Sequence, residues 1–244
     1  MNMIRRVAAT LMLASALPVA AQLVRVGLEP MPPLILNAEH GYTIALLRAC
    51  EAVSGLRFRI VIMPYSRGRI DLKGGAIDLL GHTPYQVENE EFYRHAQELS
   101  WTFPVKTDFY AVSQEHLRPG PGAKVGVPRG NRAFAAMVTG LPEGQFYDRA
   151  DLNGLLQMLS SGRLDAVYWE RASTMGSIRK LGLENILYRE IAAAPAGLAV
   201  RKDAAGSRLR AELEAALQKV DARQIYAGYS SFMTMPVSGT VPVH

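Results

Sequence analysis

Two stretches of this chain, far apart in sequence, spell the same joint. Leu72-Lys73-Gly74-Gly75-Ala76-Ile77-Asp78-Leu79 is echoed by Leu159-Ser160-Ser161-Gly162-Arg163-Leu164-Asp165-Ala166. In each, a helical pattern ends on glycine, an aliphatic stands two positions on, and Asp opens an apolar run. Glycine tolerates the left-handed backbone through which a helix commonly exits. One copy is an ordinary helix-to-strand join. Two copies, at matching points of two α/β segments, predict two similar lobes in one chain.

The flanking patterns fit that reading. Leu23 to Leu28 alternates as a strand does and is followed by a Pro-rich turn, Glu29 to Pro33. Tyr42 to Val53 has helical periodicity, Phe58 to Met63 is β-rich, Arg67 to Lys73 reads as a short helix, and Ile77 to Leu80 as a buried strand. After Lys124 the grammar repeats. Strands are predicted at 124–127, 146–147 and 166–169, and helices at 130–138 and 152–159. Alternating strands and helices imply right-handed crossovers and parallel sheets. Phe109 to Ser113 and Gly197 to Arg201 read as strands passing between the lobes, where a hinge belongs. Ser207 to Ala222 is an amphipathic helix assigned to the first lobe, and the tail from Pro236 is expected to be loose. One sheet continuous through both lobes, or a cleft walled shut by apolar side chains, would contradict this picture.

The first residues read as a transport address. Arg5 and Arg6 precede an apolar run, Val7 to Val19, and Val19-Ala20-Ala21 supplies small residues for cleavage before Gln22. The run is shorter than the roughly 17 residues that span a bilayer. The mature chain is therefore expected in the periplasm. Its formal charge falls from +5 to +3 as the two arginines leave, too little to suggest a nucleic-acid partner. Cys50 is the only cysteine and lies in a helical apolar pattern, so it reads as an inert core thiol. The histidines stand singly, and HExxH, CxxC, GxSxG and Walker-type loops are absent from the sequence. No metal and no cofactor are expected.

The chain resembles the type 2 periplasmic binding protein superfamily, in particular the amino-acid-type receptors of ABC importers. The resemblance rests on the first strand and turn, the helix at 42–53, both Gly-x-aliphatic-Asp joints, Lys124-Val125-Gly126-Val127-Pro128-Arg129-Gly130-Asn131, and Leu198-Ala199-Val200-Arg201-Lys202-Asp203. It implies an α/β fold of two lobes, with residues 22–110 and 199–244 forming the first and 111–198 the second. Two crossing strands would join the lobes around a ligand cleft.

In open α/β sheets ligands bind beyond the carboxyl ends of the strands. That rule selects Glu29, then Tyr65 and Arg67, then His82 and Thr83, then Asn131 and Arg132, and finally Trp169 and Glu170. Tyr65 is placed either to stack on a ligand or to cover the rim. Arg132 is either a ligand contact or a solvated surface charge. Tyr168 and Trp169 alternate, so one is expected in the core and the other in the cleft. The resemblance implies that Thr83 holds a ligand carboxylate and that Glu170 accepts an ammonium. It also implies an Arg in the stretch that here reads Val87-Glu88-Asn89-Glu90-Glu91, and none is present. Arg132 is the candidate replacement, and the missing Arg puts an α-amino-acid ligand in doubt.

The expected function is that of a monomeric periplasmic receptor for one small polar, amino-acid-like or related charged molecule, working with an inner-membrane permease or a sensor protein. The alternative is an exported lyase on the same fold, similar to cyclohexadienyl dehydratases. Those enzymes carry a glutamate where Ser173 stands here, and they keep the Arg that this chain lacks.

Overall fold

The computed structural model describes residues 22–242; the expected leader lies outside them. In chain order the elements are β1 (Gln22–Leu28), α1 (Tyr42–Val53), β2 (Leu56–Ile62), α2 (Tyr65–Lys73), β3 (Leu79–Pro84), α3 (Glu90–His95) and β4 (Ala96–Ala111). There follow β5 (Val125–Pro128), α4 (Arg132–Thr139), β6 (Phe146–Arg149), α5 (Leu152–Ser160), β7 (Ala166–Glu170), α6 (Arg171–Lys180) and β8 (Leu187–Arg201). The chain closes with α7 (Ala204–Leu217), α8 (Ala222–Ile225), α9 (Ala227–Met233) and β9 (Ser238–Thr240). Among the described residues, no helix is long and apolar enough to cross a membrane.

The two joints repeat each other hydrogen bond for hydrogen bond. Gly75 and Gly162 both adopt left-handed backbone, with φ of 73° and 70°. Ala76 and Ile77 donate to Asp71 O, and Arg163 and Leu164 donate to Met158 O in the same pattern. Ile77 and Leu164 then plug the core. Each aspartate reaches the start of its lobe's first strand. Asp78 accepts from the Arg25 amide at 3.0 Å and Asp165 from the Lys124 amide at 2.7 Å, while their own amides donate back to Arg25 O and Lys124 O. The Gly-x-aliphatic-Asp signature thus sews a helix end to the neighbouring strand.

Each half carries a parallel trio. In the first, β1 lies between β2 and β3; in the second, β5 lies between β6 and β7. An antiparallel crossing strand flanks each trio: β8 beside β3, and β4 beside β7. All nine strands form one hydrogen-bonded network, in the order β2-β1-β3-β8-β4-β7-β5-β6 with β9 on β8. This contradicts the expectation of two separate sheets: the sheet is continuous through both halves, and the cause lies in the crossing strands. The crossing strands are far longer than the short segments predicted, 16 residues for β4 and 15 for β8. At about 3.4 Å per residue each reaches about 50 Å, enough to serve both halves. They pair with each other from Ala96–Arg201 to Ala111–Leu187, with register breaks at Glu98/Thr102 and Thr107/Asp108. The network is continuous only through this ribbon; the trios lie at opposite ends of it.

The tail departs from expectation as well. Tyr226 bonds Thr43 of the first half, whereas β9 pairs with Leu187–Arg189 in the second, and Val241 is buried there. The end of the chain, assigned by sequence to the first lobe and expected to be loose, makes a third passage between the halves. Arg171 anchors it. This guanidinium is fully buried, grips Asp108 through two hydrogen bonds of 2.7 and 2.8 Å, pairs with Glu190 at 2.9 Å, and donates to the carbonyls of Phe232, Met235 and Pro236. Lys106 also bonds Glu190, so two cations and two carboxylates balance. A buried charge persists only where paired and hydrogen-bonded in this way.

Candidate functional site

The strand tips of the two halves face each other across a cavity of about 110 Å³. The first half contributes Glu29, Met31, Tyr65, His82 and Val87; the second contributes Asn131, Phe134, Val138, Trp169 and Glu170. The crossing strands make the floor with Val105, Thr107, Ala192, Ala194, Pro195 and Ala196. A second chamber of about 350 Å³ adjoins it, lined by Pro30, Met63, Arg129 and Asp151 among others. Glu29 and Trp169 border both chambers and so partition the cleft.

Glu29 follows β1 directly and is buried. Asn131, at the head of α4, donates from Nδ2 to Glu29 Oε1 at 2.8 Å and ties one half to the other. Asn131 stands at the N-cap of α4, but its side chain makes no capping bond and is spent on this bridge instead. Burial raises the Glu29 carboxyl to about 7, against the opposing pull of Asn131 and the Tyr65 backbone. Tyr65 borders the cavity through its ring while its hydroxyl donates to Glu88 at 2.6 Å, which places Glu88 beneath the rim.

His82 and Thr83 were expected in a loop beyond the third strand. They lie within β3, because β8 extends the pairing as far as Pro84. His82 borders the cavity, and burial lowers its imidazole to about 3, which keeps it neutral. Its Nε2 lies 2.8 Å from Thr43 Oγ1, which in turn lies 2.9 Å from Tyr226 Oη. Thr83 Oγ1 and His82 Nδ1 are buried with no partner.

Glu170 ends β7 and caps α6. Its oxygens accept from the amides of Ala172 and Ser173, from Ser173 Oγ and from Tyr229 Oη. Its capacity as an acceptor is thus filled by the protein. The carboxyl borders the cavity, and burial raises it above the usual carboxylate range against the pull of these donors. Trp169 and Tyr168 both reach the cavity wall, contrary to the expectation that one would turn wholly to the core. Tyr168 does so with its ring against Phe109 and its hydroxyl on Thr107.

Arg132 is turned away from the cleft. As the first residue of α4 it reaches the Glu143 carbonyl at 3.2 Å and lies beside Phe146 and Tyr147. Among the described residues, no Arg or Lys lines the first chamber, whereas Arg129 lines the larger adjoining one. Glu90, Glu91 and Arg94 also face outward, with Glu91 on Lys73 and Arg94 on Glu90. The structure therefore brings Glu29, Tyr65, His82, Asn131, Trp169 and Glu170 together and leaves out Arg132 and Thr83, the latter fully buried within β3. Thr43 and Tyr226 were not anticipated: Thr43 sits in the apolar face of α1, and Tyr226 is 183 positions away from it.

No protein-family model matches the chain, and no curated protein sequence matches it either. Solved structures do. A histidine kinase sensor domain with similarity to periplasmic binding proteins matches at TM-score 0.68 and 22% identity, over 88% of this chain and 97% of that one. An ancestral arginine-binding protein bound to arginine matches at TM-score 0.69 and 21% identity, over 86% and 99%. An arginine-, lysine-, histidine-binding protein from the thermophilic bacterium Geobacillus stearothermophilus matches at 0.65 and 16%, over 88% and 96%. At such identities the likeness is one of fold: the chain has the two-lobed architecture of type 2 periplasmic binding proteins.

Proposed function

We propose that the chain is a solute-binding receptor that closes its two halves on one small molecule and presents the closed form to an inner-membrane partner, an ABC permease or a sensor. The observation that carries this reading is the cavity at opposed strand tips, bridged by the Glu29–Asn131 hydrogen bond. A ligand that fills the gap adds contacts available only in the closed form, and so shifts the population toward it. The structural neighbours include both amino-acid-binding proteins and a sensor domain, in keeping with either partner. A periplasmic location and monomeric action belong to the same proposal, as do lobe boundaries near residues 110 and 199.

The lining bears on the ligand. An amino-acid-like molecule would bring a carboxylate into a chamber without Arg or Lys, with Glu29 and Glu170 already in its wall. A molecule with an apolar body and one polar end fits better, its body against Met31, Phe134, Val138 and Trp169. Titration calorimetry of residues 22–244 against amino acids, polyamines, carboxylates and small neutral aromatics tests the receptor reading. The expected result is saturable binding with one ligand per chain, accompanied by a smaller radius of gyration in X-ray scattering. Binding at several equivalent weak sites with no change of shape would overturn it.

The lyase alternative has one observation in its favour. A carboxyl held near 7 in an apolar chamber, as Glu29 is, has the character of a general acid or base. Ser173, however, is fully buried and bonded to Glu170. Turnover of prephenate by the purified protein, abolished in Glu29→Gln, would replace the receptor reading with the enzyme.

A further inference from the structure

The two halves meet directly where the β5–α4 turn of the second reaches the head of α2 in the first. Gly130 packs so closely here that an added Cβ would lie 2.5 Å from Ser66 Oγ and 3.2 Å from Ser66 Cβ. Beneath this exposed contact the next residue, Asn131, makes its buried 2.8 Å bond to Glu29. Adjacent residues of one turn thus touch two places on the opposite half, one at the rim and one in the interior. Neither contact survives separation of the halves.

Asn131 is a neutral amide, so it gives the Glu29 carboxyl a hydrogen bond but no charge. Around Glu29, Tyr65 of α2 turns its hydroxyl to Glu88, His82 of β3 is held neutral, and Glu170 at the end of β7 is a second acid. The adjoining chamber adds Arg129, which is exposed, and Asp151, whose carboxylate caps α5. Among the described residues, no cation pairs with Glu29. A buried carboxylate without a cation is costly. A proton removes that cost, and so does opening the site to water.

We propose that Gly130 and Asn131 form a latch that closes on Ser66 and Glu29, and that it engages with uptake of one proton by the Glu29 carboxyl, so that acid favours the closed cleft. The latch rests on the receptor reading above for its moving halves, but it needs no ligand. The sign follows from burial, which holds Glu29 at about 7 in the closed form, whereas water in the open form returns it toward 4.5. The bias toward closure is complete below about 4.5 and is lost as pH rises through about 7. From pH 8 to pH 5 the closing constant should grow on the order of thirtyfold, with at most about tenfold per pH unit, since one proton is taken up.

Spin labels on Ile70→Cys of α2 and Met137→Cys of α4, both exposed positions, read the separation of the halves, while the native Cys50 is buried. The side-chain carboxyl carbon of Glu29, assigned by its loss in Glu29→Gln, reads the proton. In the wild type a short distance should dominate at pH 5, and the carboxyl should titrate near 7. Gly130→Ala should lengthen the distance. Its left-handed φ of 88° strains Ala in open and closed forms alike, so Ser66→Gly added to it should recover closure without recovering stability. In Gly130→Ala the Glu29 carboxyl should titrate about one pH unit lower or more, as the site hydrates. Glu29→Gln should close to the same extent at pH 5 and pH 8. A long distance in the wild type at pH 5, or a Gly130→Ala variant no more open than the wild type, overturns the latch. A Glu29 carboxyl that titrates alike in both proteins overturns the proton coupling. These readings use no ligand, so their failure leaves the receptor reading to calorimetry, and a failure of calorimetry leaves the latch to them.

Discussion

At their joints the two halves are alike down to single hydrogen bonds, whereas at their strand tips they have little in common. The first half presents groups with unspent capacity: Glu29, with one bridging bond from Asn131, and His82, with a bare Nδ1. The second presents groups already committed, Glu170 with four donors around it and Tyr168 bonded to Thr107. The halves also differ in how they hold charge. Arg25 and Asp78 pair at a half-open surface in the first, and Arg171 and Asp108 pair in full burial in the second. A repeated scaffold thus leaves its tips free to diverge, because backbone geometry is set at the joint and not at the rim.

The sharpest break in this comparison should come from the two arginines. Arg171→Met leaves Asp108 buried and unpaired, and urea unfolding should show a loss of about 3–5 kcal/mol. Arg25→Met removes a partly exposed pair and should cost no more than about 1 kcal/mol. Equal losses would mean that the second half is not organised around its buried ion cluster.

Trp169→Ala comes next. It removes the partition between the two chambers and should cost about 3 kcal/mol or more by leaving a void. Calorimetry on a ligand found for the wild type should then show no saturable binding. The contrasting variant in the first half, Tyr65→Phe, loses only the bond to Glu88 and should bind the same ligand with a change smaller than tenfold.

Glu29→Gln tests the unspent carboxyl by its pH dependence. In the folded, closed protein Glu29 keeps its proton up to about 7, whereas its ordinary value is 4.5. The folded state therefore holds more protons between these values, so its stability is greatest at the acid end of the window and declines as pH rises through it. The decline should be on the order of 3 kcal/mol if the cleft stays shut, and less if opening rehydrates the group. Above pH 7 the effect is constant. Glu29→Gln should show a flatter dependence when unfolding is measured at pH 5 and pH 8. Smallest are the joint glycines: Gly162→Ala should cost about 1 kcal/mol for its left-handed backbone. Gly75→Ala should cost about the same, since the atom that a Cβ there would meet, Arg201 Nη1, is the tip of a flexible side chain that can move aside.

Much of this architecture is legible in the sequence, since the joints use residue types that few other conformations need. Tyr42–Val53 and the cores of β1, β5 and β7 also stand out by period alone. The crossing strands were seen only in part. Pro104 and Pro195 and the run Ala192-Ala193-Ala194 carry no strand signal, yet they pair along the ribbon because a long partner lies beside them. The tail strand Ser238–Thr240 was missed for a similar reason, as nothing in Ser-Gly-Thr announces that Arg171 waits for the carbonyls before it. Of the residues that the strand-tip rule selects, Glu29, Tyr65, His82, Asn131, Trp169 and Glu170 border the cavity, but the rule gives position without orientation. It could not show that Arg132 turns outward, or that Glu170 spends its oxygens on its own helix. Thr43 and Tyr226 have no local mark; their roles come from tertiary neighbours alone.

The interleaved sheet also dictates an order of events during synthesis. The first half borrows β8, through Leu198 to Val200, and the second borrows β9 from the far end of the chain. A nascent chain released only as far as β7 therefore holds two unfinished sheets, each with an open edge, and neither core can seal. Nascent domains ordinarily close from the amino end; here the first half's sheet lacks its flanking strand until β8 has emerged, behind the whole of the second trio.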